Sequence, residues 1–200
     1  MNLKDTYNKI AEDWHRDHQK DDWWQEGTDK FVSLFNRDDL ILDAGCGSGV
    51  KTRYLVDKGL SIVGIDISAE LLKIAKKEVP EATFYEKDMS QVNELEENFD
   101  GIFAQASLLH ISKKDIESVL QKLINKLKKD GYFYVAVKEN KNIKEEIVKE
   151  NDYGYDYQRF FSYYTLEELR QYFRELRLKI VFETITNSGR TNWIQVIAKK

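Results

Sequence analysis

Three aspartates and three glycines are the residues from which chemistry can first be read. Asp43, Asp66 and Asp88 each close a short apolar run, in "LILDA", "SIVGID" and "ATFYEKD". Gly45, Gly47 and Gly49 alternate directly after the first run, in "LDAGCGSGVKT". Glycines at such a turn let a backbone approach a ligand closely. A phosphate loop needs Gly-x-x-x-x-Gly-Lys-Ser/Thr. Counted from Gly45, Lys51 and Thr52 fit, but Val50 stands where the second glycine is required. A dinucleotide turn, Gly-x-Gly-x-x-Gly, meets Val50 from Gly45 and Thr52 from Gly47, so neither frame holds. Charge agrees: Asp43 at the mouth of the turn repels a pyrophosphate and favours hydroxyls or a positive ligand. Asp66 follows at roughly the 20-residue spacing of a carboxylate that accepts from ribose hydroxyls. Asp88 is placed to reach the exocyclic amine of an adenine. An adenosine without phosphate, carrying a cationic tail, meets all these demands.

Such residues act together only if strand ends line up along one edge. "LILDA" (40–44), "SIVGID" (61–66), "ATFYEKD" (82–88), "FDGIFAQA" (99–106) and "YFYVAVKE" (132–139) read as buried strands, rich in β-branched and aromatic residues. Helices are predicted between them. "SAELLKIAKKEV" opens on Ser68 as N-cap, and "SKKDIESVLQKLINKLKKDG" opens on Ser112 and Asp115 and closes at Gly131. Leu3, Tyr7, Ile10, Ala11 and Trp14 recur at helical spacing, and Thr28 is expected to cap a second helix through Phe35. Near the end, Thr165 and Glu168 start "TLEELRQYF"; "LKIVFETIT" and "TNWIQVIAK" then form a hairpin across "NSGR". The prediction is an α/β three-layer sandwich, Rossmann-like, with a mostly parallel seven-stranded sheet and an antiparallel C-terminal edge hairpin.

The chain has 200 residues, 42% hydrophobic and 33% charged, which suits one globular domain. The expected division is a helical cap (1–36), a ligand-binding core (37–139), a lid insertion (140–164) and a C-terminal helix and hairpin (165–200). No apolar run approaches the ~20 residues of a membrane span, and the charged opening stretch lacks a signal core, so a cytoplasmic location is expected. Cys46 is the single cysteine, which excludes an internal disulfide, and no histidine cluster suggests a metal. The net charge of -4 disfavours nucleic acid as a partner.

The series "ILDAGCGSG", "VGIDIS", "EKDM", "FDGIFAQASLLH", "LKKDGYFYV" resembles the ordered motifs of class I S-adenosylmethionine-dependent methyltransferases. The likeness runs from about Ile41 to Val137, and "YNKIAEDWHRD" is similar to the N-terminal cap of the small-molecule branch. The resemblance implies that S-adenosylmethionine lies along the turn, its methionyl part along Gly45 to Gly49, with Asp43, Ala44, Gly45 and Gly47 among the cofactor-binding residues. It implies ribose at Asp66, adenine between Ile67 and the Asp88–Met89 pair, and Gln105 and Ala106 under the methionine moiety. Tyr7 and Trp14 match cap residues that cover the cofactor. The product would be S-adenosylhomocysteine.

The acceptor side is less determined. His110 follows the fourth strand, where it lines a pocket or serves as general base. The aromatic segments "DWW" (Trp23, Trp24) and "YGYDYQRFFSYY" (153–164) form either walls for a flat substrate or ordinary lid packing. Arg159 pairs with a substrate carboxylate or with Asp152 or Asp156. Tyr163 and Trp193 are further candidates to contact the acceptor, whereas His15 and His18 read as surface residues and "KNIKEEIVKE" as a solvated helix face. Methyl transfer to a small molecule by in-line displacement is the expected function, with the protein a monomer or homodimer. The alternatives are a methyltransferase acting on tRNA or protein, a cofactor-binding protein without turnover, and, disfavoured by the failed glycine frame, a nicotinamide dehydrogenase.

Overall fold

The apolar runs do become strands, and their ends do meet. The computed structural model describes residues 2–140 and 142–200. Strands β1 (Leu40–Ala44), β2 (Ser61–Asp66), β3 (Thr83–Glu86), β4 (Phe99–Gln105) and β5 (Leu127–Lys138) run parallel. β8 (Lys179–Ser188) and β9 (Thr191–Lys199) form the antiparallel hairpin, giving the order β3-β2-β1-β4-β5-β9-β8. Alternate residues serve opposite faces, as a strand's period of two requires. Leu42, Ile102 and Phe133 pack with Leu120 and Leu123 of α5 (Ile116–Lys126) and Phe173 of α6 (Leu166–Glu175). Ile41, Phe103 and Tyr134 pack with Phe31 of α2 (Gln25–Val32) and Leu55 of α3 (Val50–Asp57). Both faces are therefore dry, as in a doubly wound sheet. The order reverses between β1 and β4, which opens a crevice at the strand ends.

Caps place two helices as predicted. Ser68 accepts from Leu71 N at the start of α4 (Ala69–Glu78), and Thr165 and Glu168 form a capping box on α6. Other boundaries differ. Thr28 does not cap α2: the helix begins at Gln25, after the Trp24 indole ties back to Asp21 O, and Thr28 is buried within it. α5 starts at Ile116 rather than Ser112, and it stops at Lys126 rather than Gly131. Leu127 turns extended, buries its side chain and pairs with Phe99. The stretch expected as a solvated helix face is instead β6 (Glu145–Glu150), paired antiparallel with β7 (Tyr157–Ser162); Lys141 lies outside the described residues. Alternation there outweighs i,i+4 charge pairing. Glu150 and Glu146 share one side of the strand, and both find partners on β7 or just beyond it.

Among the described residues, no helix is long and apolar enough to cross a membrane.

Candidate active site

The glycine turn leaves β1 beneath the crevice, and the amides of Gly45, Cys46, Gly47 and Gly49 are already engaged. Gly45 N and Cys46 N donate to Ile65 O at 2.8 and 3.0 Å, Gly47 N to Asp66 Oδ2 at 2.9 Å, and Gly49 N to Cys46 O at 3.1 Å. A phosphate cradle needs such groups free. Gly45 adopts φ 83, and a Cβ there would lie 2.3 Å from Ser107 Cβ. Ser107 in turn donates to Ala44 O at 2.6 Å, tying the end of β4 to that of β1.

Asp66 receives Gly47 N on one oxygen and Ser68 N, at 2.8 Å, on the other. A carboxylate has about four lone-pair sites, so room remains for a ligand hydroxyl. Burial pushes its pKa up to about 6, although those amides pull the other way. Asp43 is nearly buried on the floor of the crevice, accepts from Thr52 Oγ1 at 2.7 Å, and is pushed up to about 7 by burial. The negative charge expected at the mouth of the turn therefore resides more on Asp66 than on Asp43. Asp88 lines the cavity while its side chain caps the short 3-10 helix Met89–Glu94 through Ser90 N. Lys51, the near match to a phosphate-loop lysine, lies 4.4 Å over the Trp24 ring.

The cavity is about 310 Å³ and runs from this turn to β5 and β7. Tyr7, Trp14, Gly45, Gly47, Ile67 and Met89 line it, as do Gln105, Ala106, His110, Arg159 and Trp193. Ala44 and Tyr163 are not on its wall; the Tyr163 hydroxyl donates to Glu146. Gln105 is 8% exposed, and neither amide atom has a partner among the described residues, so a bound ligand's polar groups would complete it. Ala106 holds a left-handed φ of 51, the local strain often found where ligands bind.

α1 (Leu3–His18) closes the cavity from above. Trp14 carbons would lie 3.4 Å from a Cβ on Gly47, and Asn8 Oδ1 accepts from Ser68 Oγ at 2.8 Å. Because α1 crosses the turn, His15 and His18 are not plain surface residues. His15 Nδ1 meets Ser48 Oγ at 2.9 Å, and His18 stacks on Trp14 and lines the cavity. Arg159 pairs bidentately with Glu150 rather than with Asp152 or Asp156, at 2.7 and 2.5 Å, and it also donates to the Tyr7 hydroxyl at 3.4 Å.

His110 is fixed from both sides. Its Nδ1 lies 2.7 Å from the Phe160 carbonyl, which can only accept, so Nδ1 carries the hydrogen. Nε2 therefore accepts from the Tyr7 hydroxyl, also at 2.7 Å. Burial, helped by the charges of Arg159 and Lys138, lowers the imidazole to about 3. The ring is neutral at physiological pH and its one lone pair is in use, which suits orienting Tyr7 better than taking a proton. Its ring ¹⁵N shifts should stay constant from pH 5 to 8 in NMR titration. A midpoint near 6.5 would contradict the buried, doubly bonded arrangement.

Sequence reasoning did not single out Lys138, which ends β5 on the cavity wall, or the stack of Trp23 on Trp193 at 3.9 Å. A charged residue directly after the apolar run "YFYVAV" was an available signal for Lys138. It is the same signal that marked the aspartates.

Comparison with known proteins agrees with this geometry. A methyltransferase-domain family model matches residues 41–131. The chain is 34% identical over 103 residues to a magnesium-protoporphyrin O-methyltransferase of Rhodobacter capsulatus, covering 49% of this chain and 45% of that protein. It is 36% identical over 102 residues to a trans-aconitate 2-methyltransferase of Enterobacter, covering 50% and 39%. The chain thus spans less than half the length of these two curated relatives. Among solved structures, the 1,6-didemethyltoxoflavin-N1-methyltransferase of Burkholderia thailandensis, with S-adenosylhomocysteine bound, superposes with TM-score 0.78 at 19% identity, covering 99% of this chain and 87% of that one. The magnesium protoporphyrin IX methyltransferase of Synechocystis, also with S-adenosylhomocysteine, gives 0.77 at 17% identity, covering 99% and 98%. At such identities the likeness establishes the fold, the Rossmann-like sheet with its antiparallel edge.

Proposed function

We propose that this chain is an S-adenosylmethionine-dependent methyltransferase that moves a methyl group to a small-molecule acceptor by in-line displacement, in the cytoplasm. The observation that carries this reading is the Asp66 carboxylate at the end of β2, braced by Gly47 N and Ser68 N beside a turn whose Gly45, Cys46, Gly47 and Gly49 amides are already bonded. The residues present fit the cofactor. Asp66 retains lone pairs for ribose hydroxyls, the unpartnered Gln105 amide faces the cavity, and Gly45 and Gly47 keep it clear of side chains. Ile67, Asp88 and Met89 would flank adenine, with Tyr7 and Trp14 above and Ala106 below. Asp43 and Ala44 would act from beneath the turn.

The bound cofactor supplies an electrophilic methyl group. The chain's own task is to exclude water and hold a nucleophile in line, and such positioning contributes roughly 7–11 kcal/mol to rate enhancement. α1, the β6–β7 hairpin and the Trp23–Trp193 stack serve as covers. His110 positions Tyr7, and Tyr7 links α1 to the hairpin through Arg159. No general base is required of the chain when the acceptor arrives already deprotonated, as a free amine, a thiolate or a carboxylate. The modest size of the cavity and the net charge of -4 support a small acceptor over nucleic acid.

The test is incubation with methyl-labelled S-adenosylmethionine and cell extract split into small solutes and macromolecules. Label is expected among the small solutes. Label confined to macromolecules would overturn the acceptor class.

A further inference from the structure

Of the four lysines and arginines on the cavity wall, Arg159 and Lys87 have an acidic partner, and Lys138 does not. Arg159 is paired with Glu150, and Lys87 with Glu94 at 2.6 Å. Lys51 lies over Trp24 in the fields of Asp21 and Asp43. Lys138 forms no hydrogen bond or ion pair among the described residues; its Nζ lies 4.1 Å from the Phe161 ring centre and 5.8 Å from that of Trp193. The two acids whose fields reach it are committed elsewhere, Glu150 to Arg159 and Glu146 to the Tyr163 hydroxyl. A mostly buried ammonium without a partner is costly, and an anion on the ligand would offset that cost.

Topology separates this charge from the aspartates. β3, β2 and β1, which carry or lead to Asp88, Asp66 and Asp43, lie on one side of β4, and β5 with Lys138 lies on the other. The crevice is acidic where a sugar and a cationic tail would sit and basic beyond. The basic end is walled by Phe161 and by Trp193 stacked on Trp23. Flat rings there favour a ligand with a flat or apolar body.

We infer that the acceptor is an organic acid with a flat or apolar body, its anion paired with the Lys138 ammonium between Phe161 and Trp193. This rests on the methyl-transfer reading above. Burial, with Arg159 on β7 adding to it and Glu150 and Glu146 on β6 opposing, brings Lys138 down to about 8. His110, the other titratable group on this wall, stays neutral. Because the anion pairs with the protonated amine, acid binding should be full near pH 7 and fall as pH rises past 8.

The experiment uses the whole chain saturated with S-adenosylhomocysteine. Benzoate, cinnamate and indole-3-acetate are titrated beside their primary amides by calorimetry and saturation-transfer NMR. At least one acid should bind about 10-fold or more tightly than its amide. Lys138→Met should erase that preference, Lys138→Arg should keep it, and both variants should still bind S-adenosylhomocysteine, which shows that they are folded. No acid preferred over its amide, or a preference that survives in Lys138→Met, would overturn the assignment. Failure of the unaltered chain to bind S-adenosylhomocysteine would instead count against the methyl-transfer reading itself.

Discussion

Replacing Gly45 with alanine should abolish measurable binding of S-adenosylhomocysteine and lower the melting temperature by roughly 5–15 °C. Two costs add. Gly45 holds φ 83, where a side chain costs of order 1–3 kcal/mol. The new methyl would also lie 2.3 Å from Ser107 Cβ and 3.0 Å from Met89 Cε. Met89 can swing away, but Ser107 is buried and donates to Ala44 O, so β1 and β4 must separate. Overpacking of this kind costs about 1–3 kcal/mol more. Gly154→Ala is the control: it shares a positive φ of 79, but nothing lies within 4 Å of the added carbon. Circular-dichroism melts and calorimetric titration of both variants check the expectation. A Gly45→Ala protein that melts and binds like the parent would show that the turn is not held as described.

Asp66→Ala should weaken S-adenosylhomocysteine binding by about 10-fold or more, since a hydrogen bond to a charged group is worth roughly 1.5–3 kcal/mol. Asp66→Asn separates charge from shape, because the amide oxygen still accepts from one of the two backbone donors. The unaltered protein carries its own pH test. Asp66 titrates near 6 because burial disfavours its charged form. The carboxylate is the better acceptor of a ribose hydroxyl, so affinity should be flat above pH 7 and decline as pH falls through 6. In Asp66→Asn that decline should vanish. Calorimetry from pH 5 to 8 on both proteins reads it directly, and an identical decline in Asp66→Asn would place the titration on another group, Asp43 being the nearest candidate.

The parts of this protein written as continuous local pattern were legible in the sequence. β1 and β2 begin and end where their apolar runs do, because a strand buried on both faces tolerates no polar residue until it reaches an edge. Ser68 and Thr165 announced their helices because capping is decided within three residues. Boundaries set by distant contacts were not legible. Thr28 looks like a cap, yet α2 starts earlier because Trp24 folds back on Asp21. Gly131 looks like a helix end, yet Leu127 leaves the helix to pair with Phe99. Charge alternation in "EEIVKE" fits a helix until β7 supplies partners for Glu146 and Glu150. The site divides in the same way. The glycines and aspartates could be read because each sits at the end of its own strand. The pairing of Arg159 with Glu150, the bond of Tyr7 to His110 and the stack of Trp23 on Trp193 join segments that only the fold brings together. The sequence named Tyr7, His110, Arg159 and Trp193 individually, but it carried no sign of which would meet. Lys138 went unmarked because a lysine at a strand end is ordinarily solvated; its burial between two rings is a tertiary fact.

The most direct test of the central claim is a calorimetric titration of the purified chain with S-adenosylhomocysteine, NAD and ATP in parallel at neutral pH. A crevice whose turn has its Gly45, Cys46, Gly47 and Gly49 amides occupied and whose sugar site is a carboxylate should bind S-adenosylhomocysteine at sub-millimolar concentration and leave both phosphate-bearing ligands unbound. Saturable binding of NAD or ATP, with S-adenosylhomocysteine failing to compete, would contradict it.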